Sequence, residues 1–168
     1  MKKHIKMIGL LALVCVLALA FSACGSKNTD YRALFEDAGF DFYGDSADFG
    51  LDNIKDGFMA YREKGDEDEN LTYAAFESSK TALEYFEEGV DMMMSTAEND
   101  GDVSFGNAKV GKFQVAVAYD EYLESYMIAA QRDGEIFIFE FYEEDYDSLF
   151  KILKEIGISK LPAMEKLA

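Results

Sequence analysis

Apolar side chains recur at intervals of three and four in three stretches of this chain, and at every second position in five others. Thr29 or Asp30 can cap the first helical stretch, in which Tyr31, Leu34, Phe35 and Ala38 share a face before Gly39 stops it. The second is longer. Ser78, Ser79 or Thr81 opens it, Thr81 and Glu84 stand at capping-box spacing, and Ala82, Phe86, Val90, Met93 and Ala97 form a core-facing stripe. The third opens at Glu144 or Asp145, presents Leu149, Phe150, Ile152, Leu153 and Ile156, and ends at Gly157 ahead of the single proline, Pro162.

Alternation predicts strands over 57–63 and 71–77, joined by an acidic tip at 64–70, and a three-strand meander over 112–120, 124–131 and 135–142. Asp133-Gly134 suits the positive φ of a tight hairpin and so pins the register of the last two strands. The Asp- and Gly-rich segment 40–56, with Phe40, Phe42, Tyr43 and Phe49 interspersed, reads as a strand or loop. The order α-β-β-α-β-β-β-α implies an α+β fold of two layers: an antiparallel sheet of about five strands with helices on one face and the other face open. No internal repeat of fixed period is present.

Ahead of these elements, Lys2, Lys3 and Lys6 precede fifteen apolar or small residues from Met7 to Phe21. That run is shorter than the ~20 residues a membrane-spanning helix needs and has the form of an export signal. The stretch Phe21-Ser22-Ala23-Cys24 resembles the lipobox of bacterial lipoproteins. The resemblance implies removal of residues 1–23 by signal peptidase II and transfer of a diacylglycerol to the Cys24 thiol. Acyl chains such as palmitate would anchor the chain at about 0.8 kcal/mol per buried methylene. Residues 24–29 then form the lipidated cysteine and a flexible tether, 30–158 a single α+β domain and 159–168 a C-terminal tail. The expected location is the outer face of the cell membrane. Phe21 stands where the family usually has Leu, and Ala18-Leu19-Ala20 fits an ordinary signal peptidase, so secretion is the alternative. Beyond the signal, Gly39-Phe40, Ala74-Ala75-Phe76-Glu77, Ala82 with Tyr85-Phe86, and the run from Leu153 to Ile158 resemble a group of small uncharacterised lipoproteins of Gram-positive bacteria. The likeness implies a fold and carries no activity.

Thirty-three Asp and Glu stand against sixteen Lys and Arg, three of the latter in the signal. A chain so acidic repels nucleic acid, since it offers no basic patch to displace phosphate counterions. The aromatic share, 14% with ten Tyr and fourteen Phe, argues for a packed core over disorder. His4 is the only histidine, and Cys15 and Cys24 are the only cysteines. Histidine triads, thiol nucleophiles and His/Cys zinc sites are therefore excluded from the mature chain, and no phosphate loop, dinucleotide fingerprint or nucleophile elbow is present. The expectation is a non-enzyme without a cofactor.

Carboxylates are the remaining chemistry. Glu140 is the single acid in the apolar run Ile136-Phe137-Ile138-Phe139-Glu140-Phe141-Tyr142, where burial would suit a general acid; a place on the open sheet face is the plainer alternative. Calcium would favour the acidic stretches 41–52, 66–69 and 98–102, with Asp100 and Asp102 as candidate ligands. An EF-hand register built on Gly101 fails, because Thr96 and Asn107 fall where carboxylates are required. Met92 and Met94 flank the core-facing Met93 and are candidates for an adaptable surface. Tyr73, Tyr119, Tyr126 and Tyr142, set on strand positions alternating with Phe137, Phe139 and Phe141, are a candidate binding face for peptide or glycan; ordinary β-propensity is the competing account. The leading expectation is a lipid-anchored, non-catalytic binding or interaction module with an envelope protein, peptide or glycan as partner. A carboxylate-only hydrolase of cell-wall glycans and a calcium-dependent adhesin are the alternatives.

Overall fold

The computed structural model describes residues 29–51, 53–64 and 67–167; the signal segment and Cys24 lie outside them. Thr29–Leu34 belongs to one compact unit and the chain from Phe35 onward to another. In the first, the Asp30 carboxylate accepts a hydrogen bond from the Ala33 N–H (3.2 Å), which makes Asp30 the cap of helix α1 (Tyr31–Asp37).

After α1 come β1 (Asp41–Asp45), β2 (Ile54–Lys64), β3 (Glu67–Phe76) and helix α2 (Ser79–Asn99). Then follow β4 (Val103–Val110), β5 (Phe113–Asp120), β6 (Ser125–Arg132), β7 (Glu135–Tyr142), helix α3 (Tyr146–Ile156) and the short β8 (Glu165–Lys166). One antiparallel sheet takes all eight strands in the order β1-β2-β3-β7-β6-β5-β4-β8. The α+β class is as expected, whereas a count of about five strands is too low. Strand β1 lies in the segment whose form the sequence left open. Strand β4 carries Gly106, Asn107 and Lys109, all poor strand formers, and is held by its full register with β5 from Val103↔Asp120 to Val110↔Phe113. The C-terminal tail adds β8 beside Ser104 and Phe105 of β4.

Cross-strand register assigns the two faces. Phe58, Tyr73, Phe137, Ala130 and Val115 form one row across β2, β3, β7, β6 and β5, and Ala60, Leu71, Phe139, Ile128 and Val117 form the next on the same face. The opposite face carries the rows Met59, Thr72, Ile138, Ala129, Ala116 and Tyr61, Asn70, Glu140, Met127, Ala118. Helix α2 lies on this second face, where Ala82, Phe86, Val90, Met93 and Ala97 are buried with Ala74, Phe76, Phe105, Ala116, Ala129 and Ile136. Alanines on both partners let the helix approach closely. Helix α3 and Phe35 of α1 cover the first face: Phe35 packs edge-on against Phe58 and Phe139, and the Tyr146 ring meets that of Tyr126. Helices on one face only is therefore corrected. Strand β7 is apolar at both parities, so each face of the sheet has hydrophobic surface to remove from water.

Candidate binding groove

Helix α2 crosses the second face obliquely, from Phe76 and Ile136 toward Val103 and Phe105, and leaves the end of β7 around Ile138 and Glu140 open. On one flank of the helix, Tyr85, Phe86, Glu88, Gly89 and Met92 form a wall above a floor of Thr72, Ala74, Ala129, Ile136 and Ile138. The β1–β2 loop closes the end with Phe49 and Leu51, giving a groove of about 290 Å³ lined almost wholly by apolar atoms. Phe49 reaches this place because Gly57 has no side chain: a Cβ on Gly57 would stand 2.5 Å from the Phe49 ring and 2.9 Å from the Tyr73 carbonyl. Tyr85 is held by stacking on Phe76, with ring centroids 5.2 Å apart. The mouth is apolar too, since Met92 is 69% exposed and Leu51 42%.

Two further hollows continue the same face. One, of about 320 Å³, is lined by Tyr43, Asn70, Thr72, Ile138 and Glu140 and shares Thr72 and Ile138 with the groove. The other, about 180 Å³ on the far flank of α2, includes Met93, Thr96, Asp120, Leu123 and Met127. Glu88, Glu140 and Asp120 are the ionisable side chains of the three hollows besides the tyrosines, and no Lys or Arg among the described residues lines any of them.

The residues singled out in the sequence fall as follows. Glu140 is exposed on the open end of the second face, opposite Asn70 and Met127, so the burial required of it as a general acid is absent. Asp100 and Asp102 are exposed and build a turn: the Asp100 carboxylate accepts from the Asp102 N–H at 3.0 Å. Among the described residues no group of three or more His, Cys, Asp or Glu is placed to hold a metal ion. Met93 is buried while Met92 and Met94 are exposed.

The four tyrosines do not share a surface. Tyr73 is buried on the first face, with its hydroxyl donating to Glu135 at 3.1 Å, and Tyr142 points to the second face. Tyr119 and Tyr126 stay together on the first face, on the same side as Phe137, Phe139 and Phe141 and not alternate to them. Their rings, 4.6 Å apart, begin a row that passes through Tyr146 (5.6 Å) to Phe150 (5.7 Å). The Glu143 carboxylate accepts the Tyr119 hydroxyl hydrogen and raises the Tyr119 pKa; burial, with help from the Glu143 charge, raises that of Tyr126.

Sequence reasoning missed one buried ionic centre. Glu69, placed by sequence in the acidic tip at 64–70, lies inside β3 and pairs with Arg62 of β2. The signal was Arg62 itself, an odd member of the apolar alternation Phe58, Ala60, Arg62. The groove was also missed, because it depends on where α2 crosses the sheet. No protein-family model matches the chain, and comparison with curated proteins and with solved structures returns no similar one.

Proposed function

We infer that the chain is a lipid-anchored, non-catalytic binding module on the outer face of the cell membrane, and that it holds an apolar part of an envelope partner in the groove beside α2. The groove carries this reading. It is open and apolar, and its volume of about 290 Å³ falls just under the roughly 300–1,000 Å³ common for binding pockets. An apolar lining suits a peptide or protein side chain better than a glycan, whose hydroxyls would lose their hydrogen bonds there. The basic start, the apolar run and Cys24 support the location, as does the resemblance to small lipoproteins. His4, Cys15 and Cys24 all precede the fold, which leaves no histidine or thiol within it for catalysis, and the carboxylate singled out, Glu140, is exposed.

Cross-linking in intact cells with a membrane-impermeant reagent tests the reading, comparing wild type with Gly89→Leu, which fills the groove, and Cys24→Ala, which removes the lipid acceptor. A partner is expected on wild type and not on Gly89→Leu, and Cys24→Ala is expected in the medium. Cross-links unchanged by Gly89→Leu would place the partner elsewhere. A Cys24→Ala chain that remained on the membrane would remove the anchor from the reading.

A further inference from the structure

Gly89 stands in the interior of the 21-residue helix α2, where glycine is a poorer helix former than alanine. Nothing in the fold requires it. Its φ is not positive, and a Cβ built there would meet no atom within 4 Å. The space that a side chain would enter is the groove, so the bare backbone at Gly89 widens it and admits close approach to the helix.

The charged side chains that line the groove and the hollow continuing from it are acidic. Helix α2 carries Glu84, Glu87, Glu88, Asp91 and Glu98 against Lys80 alone, and Lys80 is paired with Glu84 at 2.8 Å. Glu88 lines the groove, and Glu140 lines the hollow that continues from it past Thr72 and Ile138. An anionic amphiphile would set its charge against these carboxylates. A neutral apolar ligand would leave them unused.

The geometry points to a cationic amphipathic peptide as the occupant: an apolar side chain enters beside Gly89, and Lys or Arg side chains meet Glu88 and Glu140. This names the partner class for the binding module proposed above and rests on that reading. Peptide specificity then has two parts, an anchor in the groove and a charge pattern along the open end of the sheet.

The chain has no Trp, so a tryptophan placed in a synthetic peptide reports the peptide alone. The full chain in phosphatidylcholine vesicles is titrated with a short peptide of alternating Lys and Leu carrying one Trp, with empty vesicles as blank. Matched peptides carry Glu for Lys or Ser for Leu. The Lys–Leu peptide is expected to bind with a saturable blue shift, and the Glu–Leu and Lys–Ser peptides at least about tenfold more weakly. Gly89→Leu and the double variant Glu88→Lys with Glu140→Lys should each weaken binding about tenfold or more while leaving the melting temperature no lower. Equal binding of the Glu–Leu peptide, with Gly89→Leu still disruptive, would overturn the cationic class and leave the binding module standing. Binding indifferent to Gly89→Leu, or none above empty vesicles, would overturn the proposal. In the first of these two cases, loss of the cellular cross-links on Gly89→Leu would still uphold the module.

Discussion

Arg62 and Glu69 face each other across the β2–β3 ladder, with the Glu69 side chain fully buried and that of Arg62 12% exposed. Nε of Arg62 donates to Glu69 Oε2, and Nη2 forms an ion pair with the same oxygen. Nη1 donates to the Ala38 carbonyl (2.9 Å) and Nη2 also to Ser148 Oγ (3.3 Å), while the guanidinium lies 4.9 Å from the Phe40 ring centroid and 5.9 Å from that of Phe141. One cation thus links β3, the chain after α1, and α3. Its planar fork lets it hydrogen-bond in the guanidinium plane while it lies against the two adjacent rings, which an ammonium does not.

Arg62→Met should destabilise the fold by about 3–5 kcal/mol, because it leaves the Glu69 charge buried. Arg62→Lys should recover little of this, since lysine lacks the fork. The double variant Arg62→Met with Glu69→Leu should recover most of it, as apolar replacement of both partners removes the buried charge. Urea unfolding of the three variants is the measurement. A double variant no more stable than Arg62→Met would mean that the pair acts through the Ala38 and Ser148 hydrogen bonds.

Where the chain's pattern is periodic and long, the fold was legible from sequence. The five residues expected on the buried stripe of α2 are the five buried there, Ser78 is its cap, and Gly157 ends α3 at a φ of +107°. Asp133 takes a φ of +55° in the two-residue turn between β6 and β7, as the Asp-Gly signal implied. Strand β4 was not legible, since its ladder comes from β5 and not from its own side chains. The face of each helix was not legible either: periodicity shows that Phe86 and Leu149 are buried, and says nothing about which side of the sheet receives them. For the same reason Tyr119 and Tyr126 were placed in one patch with Tyr73 and Tyr142. Alternation fixes sides within a strand, and only register relates one strand to the next.

The path of the tail depends on Gly106. The Ala163 carbonyl passes over this residue on the first face of β4, where a Cβ would collide with it, before Glu165 and Lys166 pair with Phe105 and Ser104. Gly106→Val should displace 162–167, at about 1–3 kcal/mol for overpacking. Hydrogen exchange should show lost protection at the β4–β8 pairing and little change at α2. Unaltered exchange at Phe105 would mean that the tail is held by its other contacts, such as the Lys166–Glu121 ion pair (2.9 Å).

Gly89→Ala should stabilise the fold. The helical backbone accepts alanine, the Cβ meets nothing within 4 Å, and relief of the glycine penalty amounts to about 0.5–1 kcal/mol. Thermal unfolding should show a higher midpoint. A lower one would reveal a steric need for glycine within the fold and remove the basis for reading Gly89 as an opening for a ligand.

The Tyr119–Glu143 hydrogen bond makes stability fall on the alkaline side. That bond above all, then burial and the Glu143 charge, raises the Tyr119 pKa in the folded chain, and burial does the same for Tyr126. An unfolded tyrosine loses its proton near about pH 10, so above that pH the folded chain holds protons that the unfolded chain has released. The contribution is whole below about pH 10 and is lost as the pH climbs through the raised folded value. Tyr119→Phe has no proton to lose at this position, and Glu143→Gln no longer holds one there. Both variants should therefore show a shallower alkaline loss of stability than wild type in urea unfolding run at a series of pH values. Absorbance at 295 nm should show the latest-ionising tyrosine of the folded wild type missing from Tyr119→Phe. If the alkaline slopes of all three chains coincide, the bond contributes nothing in solution, and the row from Tyr119 to Phe150 is held by ring packing alone.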